Sequence, residues 1–252
     1  METNEALYNY VLRIGDSSLI HAQRFAEWCS NGPILEEDLA ITNFSLDMLG
    51  QAENFYDYAA DLHHENTTAD KLAFRRNERQ YFNYLMVEQP NGDFAFTMVK
   101  MFLYASFAKR LFEKLSDSTD ANIIALAQKG VKEIKYHYRH SHDWLMRLGN
   151  GTDESHRRTQ QAVNELWSFT GDLFTQNEVD KLMMQEEVIP NVEAFYADWL
   201  KEVKEVFQQA RLAIPEIAHQ ITGGINALHT EHLGHILCEM QYLQRAYPDA
   251  EW

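Results

Sequence analysis

Apolar residues recur along most of this chain at the three-and-four spacing of helices, and no stretch alternates with period two for long. The clearest stripe runs from Asp120 to Leu148. There Ala127, Val131, Ile134, Tyr138, Ser141, Leu145 and Leu148 share one face, and His137 lies at its edge. Upstream, the pattern predicts a helix over Asn4–Cys29 with Leu7, Val11, Ile14, Leu19 and Phe25 inward. Gly15 inside it costs about 1 kcal/mol relative to Ala. A second long helix is predicted over Glu36–His63, with Leu39, Phe44, Leu46, Leu49, Phe55 and Leu62 buried. A polar linker, Glu65–Asp70, then leads to a shorter helix over Phe74–Glu88 that Pro90-Asn91-Gly92 stops. Asp93 is placed to cap a helix reaching about Leu115, and Ser116–Thr119 to cap the one after it. Gly149-Asn150-Gly151 ends that helix, and another covers Ser155–Phe174 with Val163, Leu166, Trp167 and Phe169 inward. From about residue 178 the pattern is less regular. It predicts a short helix over Glu178–Glu187, a longer one over Asn191–Arg211, breaks at Pro215 and Gly223-Gly224, and a closing helix over Thr230–Tyr247. The expectation is a single all-α domain, residues 1–252, built of long antiparallel helices.

Composition narrows the partners. Thirty-eight acidic against 22 basic residues give a net charge of −16, which repels nucleic-acid phosphates and anionic membranes, so neither is expected. No run of about 20 apolar residues is present to span a bilayer. The opening METNEALYNY lacks the apolar core of a secretory signal. Cys29 and Cys238 belong to no metal or redox motif and read as two reduced thiols. A cytoplasmic protein is the expectation.

Four long helices are the architecture that most often carries a di-iron carboxylate site, with Glu-x-x-His aiming two ligands at one metal. Only Asp61/His64, Asp153/His156 and Glu216/His219 place a carboxylate three residues before a histidine, and none lies in the middle of a long helix. His137 has Ile134 where the motif needs Glu, and the helix body from Phe94 to Phe112 holds no carboxylate. A rival candidate is HTEHLGHILCEM, where His232, His235 and Glu239 recur along one helix; the HExxH order is absent. Its plainer reading is a helix start at His229 or Thr230, with the imidazoles, His229, His232 and His235, in structural hydrogen bonds. Nucleotide-binding glycine motifs and a nucleophile elbow are absent.

Five segments carry a family resemblance: LDMLGQAENFYDYAADL (46–62), MVEQPNGDFA (86–95), RLGNGTDES (147–155), LHTEHLG (228–234) and EMQYLQRAYP (239–248). Across nearly its whole length the chain resembles the C-subunit family of bacterial phenylacetyl-CoA epoxidases, ring-epoxidising monooxygenases of aerobic phenylacetate degradation. The resemblance implies a ferritin-like helical bundle whose own di-iron site is degenerate. It also implies a catalytic A subunit that holds the di-iron centre, a small B subunit, and a reductase that brings electrons from NADPH for reaction with O₂. Matching the A-subunit ligand motifs puts Met48, Ile134 and, less directly, Phe102 at carboxylate positions, with Gln51 and His137 at histidine positions. Thioether, amide and alkyl groups do not balance two iron charges. Met48, Phe102 and Ile134 would fill the space as apolar packing. The expectation is a non-catalytic supporting subunit, with no catalytic, cofactor or metal residues of its own.

Two other functions remain open at this point: an independent metal-binding protein using His232, His235 and Glu239, and a bundle that binds an acyl-CoA. Self-association is a further possibility. Arg75, Arg76, Lys100, Lys109 and Arg110 are candidates for contact with a CoA moiety, their plainer reading being ordinary solvated cations.

Overall fold

The structure, a computed structural model, describes residues 2–63, 67–248 and 250, and among them all regular structure is helical. In chain order the helices are α1 (Thr3–Ala26), α2 (Leu35–His63), α3 (Ala69–Phe74), α4 (Leu85–Glu88), α5 (Phe94–Leu115) and α6 (Ala121–Gly149). They continue with α7 (Asp153–Leu166), α8 (Glu178–Gln185), α9 (Tyr196–Gln209), α10 (Glu231–Met240) and α11 (Tyr242–Ala246). Contacts gather into two compact units. One comprises Met1–Pro90, Asn177–Met183 and Gly223–Trp252, the other Asn91–Gln176 and Met184–Thr222. No helix of the described residues is long and apolar enough to cross a membrane.

In the first unit α1 and α2 run antiparallel. Phe25 meets Phe44 with ring centroids 6.2 Å apart, and Asn4 Nδ2 donates to the Leu62 carbonyl at 3.2 Å. Gly15 sits between these points. A Cβ there would lie 2.8 Å from Tyr56 Cε1, so the residue that weakens the helix locally is the one that lets α2 approach. α1 is buried without a break from Tyr10 to Ala22, and that span includes Arg13, Asp16, Ser17, Ser18 and His21. Such polar groups are stable inside only where partners meet them.

The expected helix over Phe74–Glu88 is replaced by the end of α3, a 3-10 turn at Glu78–Gln80 and the single turn of α4. The reason lies in α1. The Phe82 N–H donates to Asp16 Oδ2 at 2.8 Å and the Tyr84 N–H to Ser17 Oγ at 3.3 Å, so this backbone bonds to side chains instead of to its own carbonyls. Of the linker, Glu65 and Asn66 lie outside the described residues; Thr68 caps α3, its Oγ1 accepting from the Lys71 N–H at 3.2 Å. On α2, Leu39 and Leu46 are 56% and 60% exposed, contrary to the inward placement expected. The predicted C-terminal helix is interrupted at Gln241, whose buried Nε2 donates to the Ala73 and Arg76 carbonyls at 3.1 and 3.0 Å.

In the second unit α5 and α6 are antiparallel, with Phe94 against Trp144 and Phe102 against Tyr138 at centroid distances of 4.9 and 5.6 Å. Asp93 caps α5 as expected, accepting from the Phe96 N–H at 2.9 Å. α6 is capped by Asp120, which accepts from Asn122 and Ile123 at 2.9 Å; Ser118 supports that cap by accepting from the Asp120 N–H. The buried stripe of α6 is Ile123, Ala127, Gly130, Ile134, His137, Ser141, Leu145 and Gly149. His137 is therefore inside the stripe, while Val131, Tyr138 and Leu148 are half-buried at its margin. The predicted helix Ser155–Phe174 tightens to 3-10 geometry from Trp167 onward. Trp199 of α9 anchors to α5 through its indole N–H, 2.8 Å from Ser106 Oγ.

Candidate functional site

The ligand positions implied by the family resemblance are all interior. In the first unit Met48 and Gln51 lie one turn apart on α2, 2% and 6% exposed. Gln51 Nε2 donates to Ser18 Oγ at 2.8 Å, and the Ser18 hydroxyl donates in turn to the Ile14 carbonyl. The amide nitrogen is thus committed to α1, while the buried Oε1 has no hydrogen-bond partner among the described residues. In the second unit Phe102 is fully buried on α5, its ring 5.6 Å from Tyr138 and 5.9 Å from Phe207. Ile134 and His137 are one turn apart on α6 and 2% and 3% exposed. Taken by type, these five residues are one imidazole, one amide, one thioether and two hydrocarbon side chains. No carboxylate stands at any of the five positions, so these residue types do not fit the donor set of a di-iron centre.

Charge is instead used in interior clusters that spacing did not reveal. Asp16, fully buried on α1, accepts from Tyr56 Oη at 2.7 Å, the Phe82 N–H at 2.8 Å and Arg76 Nη1 at 3.1 Å, with Arg76 Nη2 completing the pair. Burial works to lower the pKa of Arg76, but the adjoining Asp16 overrides it and holds the guanidinium charged. Burial, then the same carboxylate, pushes the Tyr56 hydroxyl well up. Arg76 is therefore an interior ion-pair partner and not the solvated cation expected. Lys100 is likewise fully buried, 3.1 Å from Asn91 Oδ1. Lys109 and Arg110 are half-buried and both pair with Glu202 of α9. Burial opposes the charge on Glu202, yet hydrogen bonds from Lys109 and Tyr138 hold its carboxyl below the usual range. Arg75 alone of the five is exposed, donating to the Pro248 carbonyl at 3.2 Å.

The C-terminal histidines separate by role. His229 Nδ1 lies 2.9 Å from Glu88 Oε2 and its Nε2 lies 2.8 Å from the Tyr81 carbonyl. Both ring nitrogens face acceptors, an arrangement that favours the protonated cation. Burial acts to lower its pKa, and the hydrogen bond and charge of Glu88 outweigh it, leaving the value raised. Glu88 Oε1 also accepts from the Thr230 N–H and hydroxyl, each at 2.7 Å. Thr230 is thus the N-cap of α10 by position, while its hydroxyl serves Glu88 and makes no cap bond. His232 is half-buried, and His235 and Glu239 are exposed along α10. Among the described residues no three His, Cys, Asp or Glu side chains come together as a set that could hold a metal ion.

Of the spaced carboxylate–histidine pairs, His64 lies outside the described residues. His156 turns its Nδ1 to the Gly149 carbonyl at 2.9 Å, and Glu216 and His219 are exposed and outside any helix. The signal that would have found Asp16–Arg76 and Glu88–His229 is weak in sequence. The partners stand 60 and 141 residues apart, and no spacing rule reaches that far.

The five ligand positions are thus buried, and interior charge is paired elsewhere, at Asp16–Arg76 and Glu88–His229. The sequence is 46% identical over 243 residues, covering 96% of this chain and 98% of the relative, to the protein named as the C subunit of 1,2-phenylacetyl-CoA epoxidase in Escherichia coli (strain K12). The model of the family described as phenylacetic acid catabolic protein, whose members are ferritin-like, matches residues 1–252. The chain is all-α and belongs to the phenylacetic acid catabolic protein family.

Proposed function

We propose that this chain is the C subunit of a cytoplasmic phenylacetyl-CoA epoxidase and acts there as a supporting, non-catalytic subunit. In this reading a homologous A subunit holds the di-iron centre and carries out the O₂-dependent epoxidation, with a small B subunit and an NADPH-fed reductase completing the system. The near-full-length match to the Escherichia coli protein supports the assignment to the complex. The observation that carries the non-catalytic role is the donor set at Met48, Gln51, Phe102, Ile134 and His137. These side chains are buried, the Gln51 amide nitrogen is hydrogen-bonded to Ser18 and Phe102 packs on Tyr138, with no carboxylate among them. A vacated carboxylate site would have left unpaired charge inside, at a cost of several kcal/mol, which apolar replacement removes.

The test is to express the chain alone and together with the other epoxidase subunits. The isolated, folded chain is expected to contain no stoichiometric iron, and ring epoxidation of phenylacetyl-CoA is expected only when the A subunit is present. Iron at one or two equivalents in the isolated chain would refute the non-catalytic role.

A further inference from the structure

We infer that the outward face of α2 is a docking surface for a helix of another subunit, one that presents an apolar stripe continued by a row of Lys or Arg. The inference rests on the reading of the chain as an epoxidase subunit and says which of its surfaces is used. α2 buries Ile41, Phe44, Met48, Ala52 and Phe55 on one side. On the opposite side, Leu35, Leu39 and Leu46 are 71%, 56% and 60% exposed. With Ile34 beside Leu35, they expose apolar surface on the order of a few hundred Å² in sum, a size at which an exposed patch is often functional.

The same face continues in carboxylates. Leu35, Leu39, Leu46, Glu53, Asp57 and Asp61 follow one another at steps of four, seven, seven, four and four, which keeps all six on one stripe of a 3.6-residue helix. Glu53, Asp57 and Asp61 are exposed. Over about 40 Å of helix the stripe is therefore apolar in its first half and anionic in its second. α2 contains no Lys or Arg to neutralise that row, and nothing within 4 Å crowds the position of Gly50 between the two halves.

This polarity identifies the occupant. A second copy docked in parallel would set carboxylates against carboxylates. Docked antiparallel about the middle of α2, it would set Leu35 and Leu39 against Asp61 and Asp57. Both arrangements either repel or strand leucine on charge. A helix of a different chain, with apolar residues facing the leucines and cations facing Glu53, Asp57 and Asp61, satisfies both halves. Such a contact would be one part of an obligate interface, which removes on the order of 2,000 Å² or more.

The experiment uses the full chain co-expressed with the other epoxidase subunits, in three forms: unaltered, Leu39→Lys/Leu46→Lys, and Glu53→Lys/Asp57→Lys/Asp61→Lys. The leucine variant is expected to weaken assembly roughly 30-fold or more, as loss of central anchors does. The charge variant sets cation against cation and is expected to associate more slowly, with a salt dependence opposite in sign to that of the unaltered chain. Oxidative footprinting of the unaltered complex should show Leu39 and Leu46 protected relative to the isolated chain, and this readout holds even where a variant folds poorly. If the unaltered chain assembles while both variants bind with the same affinity and salt slope, or the leucines stay unprotected, the docking surface is refuted and the subunit reading stands. If the unaltered chain binds none of those subunits, the subunit reading falls and this inference with it. A dimer of the isolated chain that Leu39→Lys/Leu46→Lys dissolves would make the occupant a second copy and overturn the proposal.

Discussion

The Asp16–Arg76 pair is a buried ion pair of the first unit, and Asp16→Ala tests how much of that unit's stability it carries. The carboxylate is fully buried and accepts from the guanidinium, the Tyr56 hydroxyl and the Phe82 N–H. Removing it leaves an uncompensated charge in the interior, a loss of about 3–5 kcal/mol. The Phe82 N–H also loses its acceptor, which costs about 1–3 kcal/mol where water does not replace it. These effects overlap, so a destabilisation of about 4 kcal/mol is expected, a large share of the ~5–15 kcal/mol that keeps a domain folded. Because the chain has two compact units, one global melting curve is a poor measure. Amide hydrogen exchange resolves the unit itself. The slow amides of α1 and α2 should exchange about a thousandfold faster in the variant, the factor that corresponds to ~4 kcal/mol. The double variant Asp16→Ala/Arg76→Met should be less destabilised than the sum of its parts, since it removes the stranded charge. Acceleration below tenfold, or additive single and double effects, would refute the view that this pair holds the unit together.

Three further outcomes follow from the same geometry. His229 has a raised folded pKa, so its ion pair with Glu88 contributes fully below the unfolded value of about 6.5 and is lost as pH rises through the folded pKa. Denaturant midpoints measured from mildly acidic to alkaline pH should fall across that window in the unaltered chain, and Glu88→Gln should flatten the fall. Gly15→Ala should destabilise the first unit by about 1–3 kcal/mol of steric strain against Tyr56, although helix propensity alone predicts a gain of about 1 kcal/mol; slower amide exchange in α1 and α2 would contradict the close approach. Ile134→Glu should place a carboxylate at a position 2% exposed, lower stability by a few kcal/mol and bind no stoichiometric iron when the chain is produced in iron-rich medium, as elemental analysis would report.

Helices were readable wherever the backbone closes on itself. α1, α2, α5 and α6 lie within a few residues of the spans their apolar spacing predicts. Residues 74–88 were not readable, because their backbone bonds to Asp16 and Ser17, which a local pattern has no means of including. The α6 stripe held at Ala127, Ile134, Ser141 and Leu145 but was one residue off at Val131, Tyr138 and Leu148, for a related reason. Tyr138 is amphipathic, and its ring packs on Phe102 while its hydroxyl reaches Glu202 at the margin, which leaves His137 inside. Hydropathy also placed Arg76 and Lys100 in solvent, since burial of a cation depends on acceptors that the sequence alone does not locate.

The misplacement of Leu39 and Leu46 differs from these, because there the pattern itself held the answer. α2 needs one apolar face to cover α1, and Ile41, Phe44, Met48, Ala52 and Phe55 already provide it. Leu35, Leu39 and Leu46 form a second apolar stripe on the far side, in line with Glu53, Asp57 and Asp61. A helix that must satisfy one core needs one stripe, and a second is a standing cost in solubility unless something covers it. Counting both stripes as core produced the wrong burial; counting faces separates the residues that hold the fold from those available to a partner. The buried positions Met48, Gln51, Phe102, Ile134 and His137 fall in the first group and the α2 leucines in the second. On that division the proposed supporting role predicts that surface substitutions on α2 impair assembly, while substitutions at the buried positions impair folding.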